Sequence, residues 1–590
     1  MKRTIHILAI LLTVGITVSC RVTPSSSVSA QIDKWSDSNS GRDRFALSEI
    51  QGLPPWSTAY VFNPYTSTAT INQTLGFEWE GAKRFALDAR DDIHLAVFVS
   101  GTKVIHFEEW RRDKFDCSPG MAERALSANT MIRIDRSRPL HVLIIAEQDG
   151  PGAPSTYRHF NVEETDDRVL SMTPVPASPA PRWARDVSQE NFDWTAQSGD
   201  KPFFARPIPF VLAPVDEGEP FGKHNHQPSI TWLPNGDLLA IWYSTGREQG
   251  TELTVLASRL RPGADAWDAS SEFFKAPNRN MHGSSIFHDG EDTIYHFNGM
   301  APNGGQGWAK LALLMRTSLD NGITWTPPQA VDARLIGRHQ VISGTLLTNN
   351  GALIQNCDAV PGGNGGTALQ ISRDRGKTWE DPGEGKPKPQ FTQGATGEGT
   401  IAGIHAKVIE LKDGRLLAFG RGDSINGHMP MSLSTDLGKT WTYEASPFPP
   451  IGGGQRLVLR RLQEGALLLV SFTSGNRAKP DSVNMTFTDQ KGEELTGHGM
   501  FAAVSFDEGE TWPLRKLLTP GAGDWNGGAW TQEFTATPTR AEHAGYLAAT
   551  QTPDNVIHLI SSRLHYRFNL PWLLEGVSYG DAKPAKEAQR

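Results

Sequence analysis

The sequence predicts an all-β protein, a small N-terminal β-sandwich followed by a six-bladed β-propeller. Three observations predict it. Glycine (58), proline (39) and tryptophan (17) are plentiful in the 590 residues, which suits many tight turns between short strands. Apolar residues alternate with period two near the N-terminus. One eight-residue pattern recurs four times in the C-terminal two-thirds.

The alternation comes first along the chain. In Phe85-Ala-Leu-Asp-Ala-Arg90, and again at Ile93, Leu95, Val97 and Val99, every second residue is apolar. Period two with one polar face describes a half-buried antiparallel strand. Further strands are expected at Lys103 to Glu108 and His141 to Ile145, and residues 46–170 sum to a sandwich, a candidate carbohydrate-binding module. The stretch Arg84 to Arg112 resembles the farnesoic acid O-methyltransferase domain, a ligand-binding type of β-sandwich repeat.

The repeats are Ser318-Leu-Asp320-Asn-Gly322-Ile-Thr324-Trp325, Ser372 to Trp379, Ser434 to Trp441 and Ser505 to Trp512, with a degenerate fifth expected at Ser258 to Trp267. An Asp side chain bonds the backbone of its own turn. Glycine two residues on supplies a positive φ. Thr and Trp then open the next strand, where the indole buries a large apolar area. Successive copies lie roughly 55 to 70 residues apart, about one four-stranded sheet with its loops. Gly236, Gly351 and Gly414 each follow Asn or Asp between apolar runs, a hairpin signal. Counting such units over 216–580 gives six blades.

The remaining segments follow from composition. Residues 1–20 read as a signal peptide, with Lys2 and Arg3 before an apolar run from Ile5 to Val18. The run ends at Thr17-Val-Ser-Cys20, which resembles a lipoprotein cleavage box with Cys20 lipidated; simple secretion is the alternative. The protein is therefore expected to be exported, to the periplasm, the cell surface or the medium, touching membrane only through that anchor. Residues 21–45 are polar and Ser-rich and read as a tether. Residues 171–215 carry eight prolines and read as a surface linker. Net charge is −8 without a basic run, which excludes a nucleic-acid partner. Cys117 and Cys357 lie in different regions, as two separate thiols or one inter-domain disulfide. No Cys-x-x-Cys pair or other metal-ligand spacing occurs, so neither metal nor cofactor is expected. A monomer is expected.

Four Asp boxes at blade spacing resemble the sialidase (neuraminidase) superfamily of BNR/Asp-box propellers, over 216 to 575. The resemblance implies a glycoside hydrolase that clamps a substrate carboxylate with three arginines. It also implies a tyrosine nucleophile activated by a glutamate, and a carboxylic acid/base. Laid on this chain, the middle arginine of the clamp matches Arg421 in Leu416-Leu-Ala-Phe-Gly-Arg421, and the tyrosine matches Tyr546 in Gly545-Tyr-Leu-Ala. Arg456 is the best substitute for the third arginine. The first is replaced within His224-Asn-His226-Gln-Pro, so His224 and His226 become candidate substrate ligands. The glutamate is replaced by His405, and Glu248 and Glu252 are the candidate acid/base. Asp358 and Glu398, both acidic residues near blade tops, read as turn-forming.

These departures leave three readings. The first is a sialidase-like exo-glycosidase on acidic terminal sugars. The second is a hydrolase or lyase acting on uronate-containing polysaccharide, because a Tyr/His pair resembles the equipment of propeller lyases. The third is a non-catalytic glycan-binding surface lipoprotein.

Overall fold

The computed structural model describes residues 27–577, apart from 38–41, 43, 65, 91, 113, 118–124, 129, 136–142, 147–155, 178, 195–200, 306–309 and 360–364. The signal peptide and Cys20 lie outside the described residues. The chain divides into two compact units, Met1–Ala153 and Pro154–Arg590.

In the first unit, strands Thr58–Phe62, Ile93–Ser100 and Lys103–Arg111 form one antiparallel sheet. A second sheet has the order Arg44–Ala46, Met131–Asp135, Leu143–Ala146, Asp116–Cys117. Ala96 and Phe98 pack with Phe45, Ile132 and Ile134 in one apolar cluster. Ile93, Leu95, Val97 and Val99 pack on the other side against Ile71 and Leu75 of the helix Thr68–Leu75. The central strand is therefore buried on both faces rather than half-buried, because a helix covers the face expected to meet water.

Two further expectations change here. The expected strand over Phe85 to Arg90 is two short 3-10 turns, Glu80–Phe85 and Leu87–Ala89, joined by Ala86 at φ 45°. The expected tether contains the helix Val28–Ser36, with the Ser27 hydroxyl accepting from the Ala30 N–H. Val28 and Ile32, one helical turn apart, are buried, so an i,i+4 apolar pair and a cap outweigh the polar composition.

The second unit is built from six antiparallel sheets of four or five strands, counted among the described residues. Five succeed one another along the chain and contain, in turn, His224–Trp232, Ser284–His288, Gln340–Val341, Ile404–Glu410 and Val458–Arg461. The sixth pairs Phe204–Pro209 with Leu564–Phe568, Ile557–Ile560 and Ala548–Gln551, so both ends of this unit meet in one sheet. That finding corrects the linker over 171–215. Val169–Pro176 pairs with Tyr157–Glu164 in a hairpin of the second unit, which places residues 157–170 there too. Phe204–Pro209 accommodates Pro207 and Pro209 because it is an edge strand.

The four Asp boxes share one geometry. In the first, Asp320 Oδ1 accepts from Thr324 N at 2.9 Å, Asp320 Oδ2 accepts from Thr324 Oγ1, and the Trp325 indole donates to Gly322 O at 3.2 Å. Gly322, Gly376, Gly438 and Gly509 all have positive φ. The expected fifth copy is not a box: Ser258 Oγ donates to Asp268 O, and Trp267 Nε1 donates to His565. Cys117 and Cys357 are both buried, and no disulfide joins them.

Candidate active site

Two irregular strands aim the central groups. The pairing of His224–Trp232 slips between His226 and Ser229, and that of Ile404–Glu410 between Ile404 and Lys407. At each bulge one residue takes the left-handed conformation, Gln227 at φ 57° and His405 at φ 52°. Such a residue costs about 1 kcal/mol and persists only where its surroundings hold it. At His405 the holder is Asp358, whose Oδ1 accepts the His405 backbone N–H at 2.7 Å.

Tyr546 lies at the centre. Its strand Gly545–Tyr546 pairs in parallel with Gln455–Arg456, which sets Tyr546 beside Arg456. The Tyr546 hydroxyl is 3.1 Å from His405 Nε2. Behind the imidazole, Asp358 Oδ2 stands 3.3 Å from Nδ1, a close contact without hydrogen-bond alignment. The Arg421 and Arg456 guanidinium carbons lie 4.9 and 5.1 Å from the phenol centroid, and the His226 ring is 3.9 Å away. The structure thus gathers Tyr546, His405, His226, Arg421 and Arg456.

Each arginine is also tied to the backbone. Arg421 donates to Gln455 O. Arg456, fully buried, donates from Nε to Leu547 O at 3.0 Å and from Nη2 to Pro228 O, while Nη1 has no partner. His226 accepts from the Trp530 indole N–H through Nε2 at 2.8 Å, so its proton sits on Nδ1, 3.2 Å from Ser562 Oγ. His226 therefore presents no cationic group in the place of the clamp's first arginine.

Electrostatics follow burial. His405 is held well below the usual imidazole range, first by burial and then by Arg421 and Arg456. His226 is held down by burial and by His224 and the same arginines. Burial raises the Asp358 carboxyl to about 7, against the lowering effect of the His405 N–H. Burial also raises the Tyr546 phenol, which Arg421 opposes.

The candidate acid/base residues separate. Glu248 accepts from the Tyr243 hydroxyl at 2.5 Å and lies 3.5 Å from His282 Nε2. Burial alone would raise it, but His282, Tyr243 and His224 together bring it down to about 2. Glu248 is thus ionised at neutral pH and is no proton donor there. Glu252 points away into its own loop, accepting from Arg247 N at 2.9 Å and Thr245 Oγ1 at 3.3 Å, and it is exposed. His224, half-buried, lies 3.5 Å from the Tyr243 hydroxyl, at the rim.

Sequence reasoning missed Asp358, which is no turn former but the buried last residue of Leu353–Asp358. The available signal was a carboxylate closing an otherwise uncharged strand, as Arg421 closes Leu416–Arg421. Tyr243, His282 and Trp530 come from loops and strands that no motif marked.

Repeated Asp-box sheets with a buried phenol, imidazole and guanidinium cluster define a BNR-type repeat protein. The model for the BNR repeat-like domain matches residues 236–559, more than half of the chain. The chain belongs to this family, within the sialidase superfamily. It is 23% identical over 383 residues to a sialidase of Micromonospora viridifaciens, an alignment covering 59% of this chain and 51% of that protein. The chain thus spans about half the length of that relative. Among solved structures it is similar to the intramolecular trans-sialidase of Ruminococcus gnavus, with TM-score 0.39 and 14% identity over 60% of this chain and 96% of that one. It is also similar to a protein of unknown function from Dyadobacter fermentans, with TM-score 0.41 and 15% identity over 62% and 98%.

Proposed function

We propose that this chain is an exported glycan-active enzyme on acidic saccharides, with the Tyr546 phenol as the reacting group. In this reading the six sheets are blades around one axis, the N-terminal sheets form a sandwich, and Cys20 carries a lipid anchor. The observation that carries the reading is the 3.1 Å contact between the Tyr546 hydroxyl and His405 Nε2, with Asp358 behind the ring. A proton on Nδ1 facing Asp358 leaves the Nε2 lone pair free to take the phenol proton. The resulting phenolate is a nucleophile for an anomeric carbon, and Arg421 with the unpartnered Arg456 Nη1 favours an anionic sugar beside it. His405 and Asp358 together thus take the part that a glutamate plays in the resemblance. Glu248, being ionised, suits a base that draws a proton from water, rather than an acid.

A second reading is favoured by a specific observation, namely that a neutral imidazole and not a carboxylate adjoins the phenol. That pair is equally fitted to remove the proton next to a uronate carboxyl group. Incubation with a panel of sialylated, nonulosonate and uronate glycans separates the two. Release of a saturated acidic sugar supports glycoside hydrolysis, and a product with near-ultraviolet absorbance supports elimination. No turnover on either class, with Tyr546→Phe binding the glycans as the wild type does, would refute the proposal.

A further inference from the structure

A polar cavity of about 410 Å³ lies apart from Tyr546. One strand from each of the six sheets lines it, including Ser284–His288, Ile404–Glu410 and Val458–Arg461. Tyr546, His405 and Arg421 are not in its wall. Its polar groups are arranged unequally. Asp289 is saturated by its own turn, accepting from the backbone of Glu291, Asp292 and Thr293. Glu410 accepts from Asn349 N at 2.6 Å, and Arg461 is paired with Glu508.

Three donors in the wall are less fully engaged. Lys407 is 5% exposed and, among the described residues, makes no close ion pair, while Asp358 acts on its amine as an opposite charge and Arg456 as a like one. Arg460 leaves Nε buried without a partner and engages Nη1 only with Ala549 O at 3.4 Å. His288, also 5% exposed, has no partner on either ring nitrogen. Buried donors of this kind cost free energy unless something accepts from them.

We propose that this cavity binds a small oxyanion, a carboxylate or a phosphate, between Lys407 and Arg460, with His288 as a further donor. Burial, with Arg456, holds the Lys407 amine below its usual range, so an anion beside it would favour its charged form; the Arg460 guanidinium, brought down by burial to about 10, stays charged at neutral pH. The proposal does not require catalysis at Tyr546, but the Lys407 amine acts electrostatically on His405 and Asp358, so Arg460→Gln is the cleaner variant.

The test uses the full chain and thermal unfolding at constant ionic strength, with inorganic phosphate in one arm and glucuronate in the other. A ligand that binds only the folded state raises its stability in proportion to occupancy. The expected result is stabilisation by one or both anions over a sodium chloride control. In Arg460→Gln, and in Lys407→Met, the apparent affinity falls at least about tenfold, the loss of one charge-assisted contact. Arg421→Met is expected to leave the phosphate response unchanged. Phosphate responding alone assigns a phosphate-type site; both anions responding assigns a general oxyanion site. Should Lys407→Met fail to fold, a selenate soak of wild-type crystals gives the answer by anomalous scattering. Stabilisation that survives Arg460→Gln but vanishes in Arg421→Met, or no selenate peak between Lys407 and Arg460, overturns the proposal.

Discussion

The Asp358 carboxylate meets His405 twice, accepting its backbone N–H through Oδ1 at 2.7 Å and standing 3.3 Å from ring Nδ1 through Oδ2. One side chain thus holds a left-handed backbone and orients the imidazole that faces Tyr546. In Asp358→Asn the amide still accepts the N–H, but its NH₂ group faces Nδ1 and drives the ring proton to Nε2. His405 then cannot accept from the phenol. The expected outcome is a kcat lower by about 10²- to 10⁴-fold with KM little changed, as for other imidazoles held in the wrong tautomer. Because burial brings Asp358 to about 7, the wild-type kcat should rise through that pH as the carboxylate ionises, and the limb should be absent in Asp358→Asn. A variant with the wild-type pH profile would remove Asp358 from the relay. Tyr546→Phe should abolish turnover and retain binding.

The two arginines beside the phenol should separate by readout. Arg421 closes its strand and is tied to one carbonyl, so Arg421→Met is expected to raise KM for an acidic substrate about 10- to 100-fold with a modest change in stability. Arg456 bonds Leu547 O and Pro228 O, from opposite ends of the second unit, and is wholly buried. Arg456→Met should therefore cost about 2–4 kcal/mol in urea unfolding, since two buried acceptors lose their donors. Equal stability losses in both variants would contradict this division.

What the sequence made legible follows from the range of the physics involved. The Asp boxes are local, every bond lying within five residues, so the pattern alone predicts the turn. Tyr546 and Arg421 were legible because each sits in a short motif. Asp358 was not, because its partner His405 is 47 residues away in a different sheet. Glu248 and Glu252 were indistinguishable in sequence. Tyr243 and His282 bind the former, and the latter folds onto its own loop. The prolines of Phe204–Pro209 misled for a related reason. Their cost depends on whether a strand is at an edge, and that is decided by pairing with Leu564–Phe568, from the far end of the chain.

The Asp boxes give a stability prediction remote from the chemistry. Asp436 accepts from Thr440 N at 2.8 Å and Thr440 Oγ1 at 2.7 Å, and Ser434 Oγ donates to it at 2.9 Å. Asp436→Ala should lower stability by about 1–3 kcal/mol, the loss of three bonds in a partly exposed turn. KM and kcat should not move. A change in KM without a change in melting temperature would place Asp436 in substrate binding instead.

Glu542 gives a pH prediction. It is fully buried, accepts from Thr531 Oγ1 at 3.1 Å and the Tyr566 hydroxyl at 2.9 Å, and burial raises it to about 7. The folded state therefore keeps this proton over a pH range where the unfolded chain has released it. Stability on this account falls as pH rises from the ordinary carboxyl value of 4.5 and stops falling above about 7. The whole effect is on the order of 3 kcal/mol at most. Glu542→Gln keeps the shape and has no proton to lose. The difference in urea midpoint between variant and wild type should therefore shift in favour of the variant between pH 5 and pH 8. A difference that is flat with pH, or that shifts toward the wild type, would mean that Glu542 is already ionised at acid pH, stabilised by the hydroxyls of Tyr566, Ser561 and Thr531 more than burial penalises it.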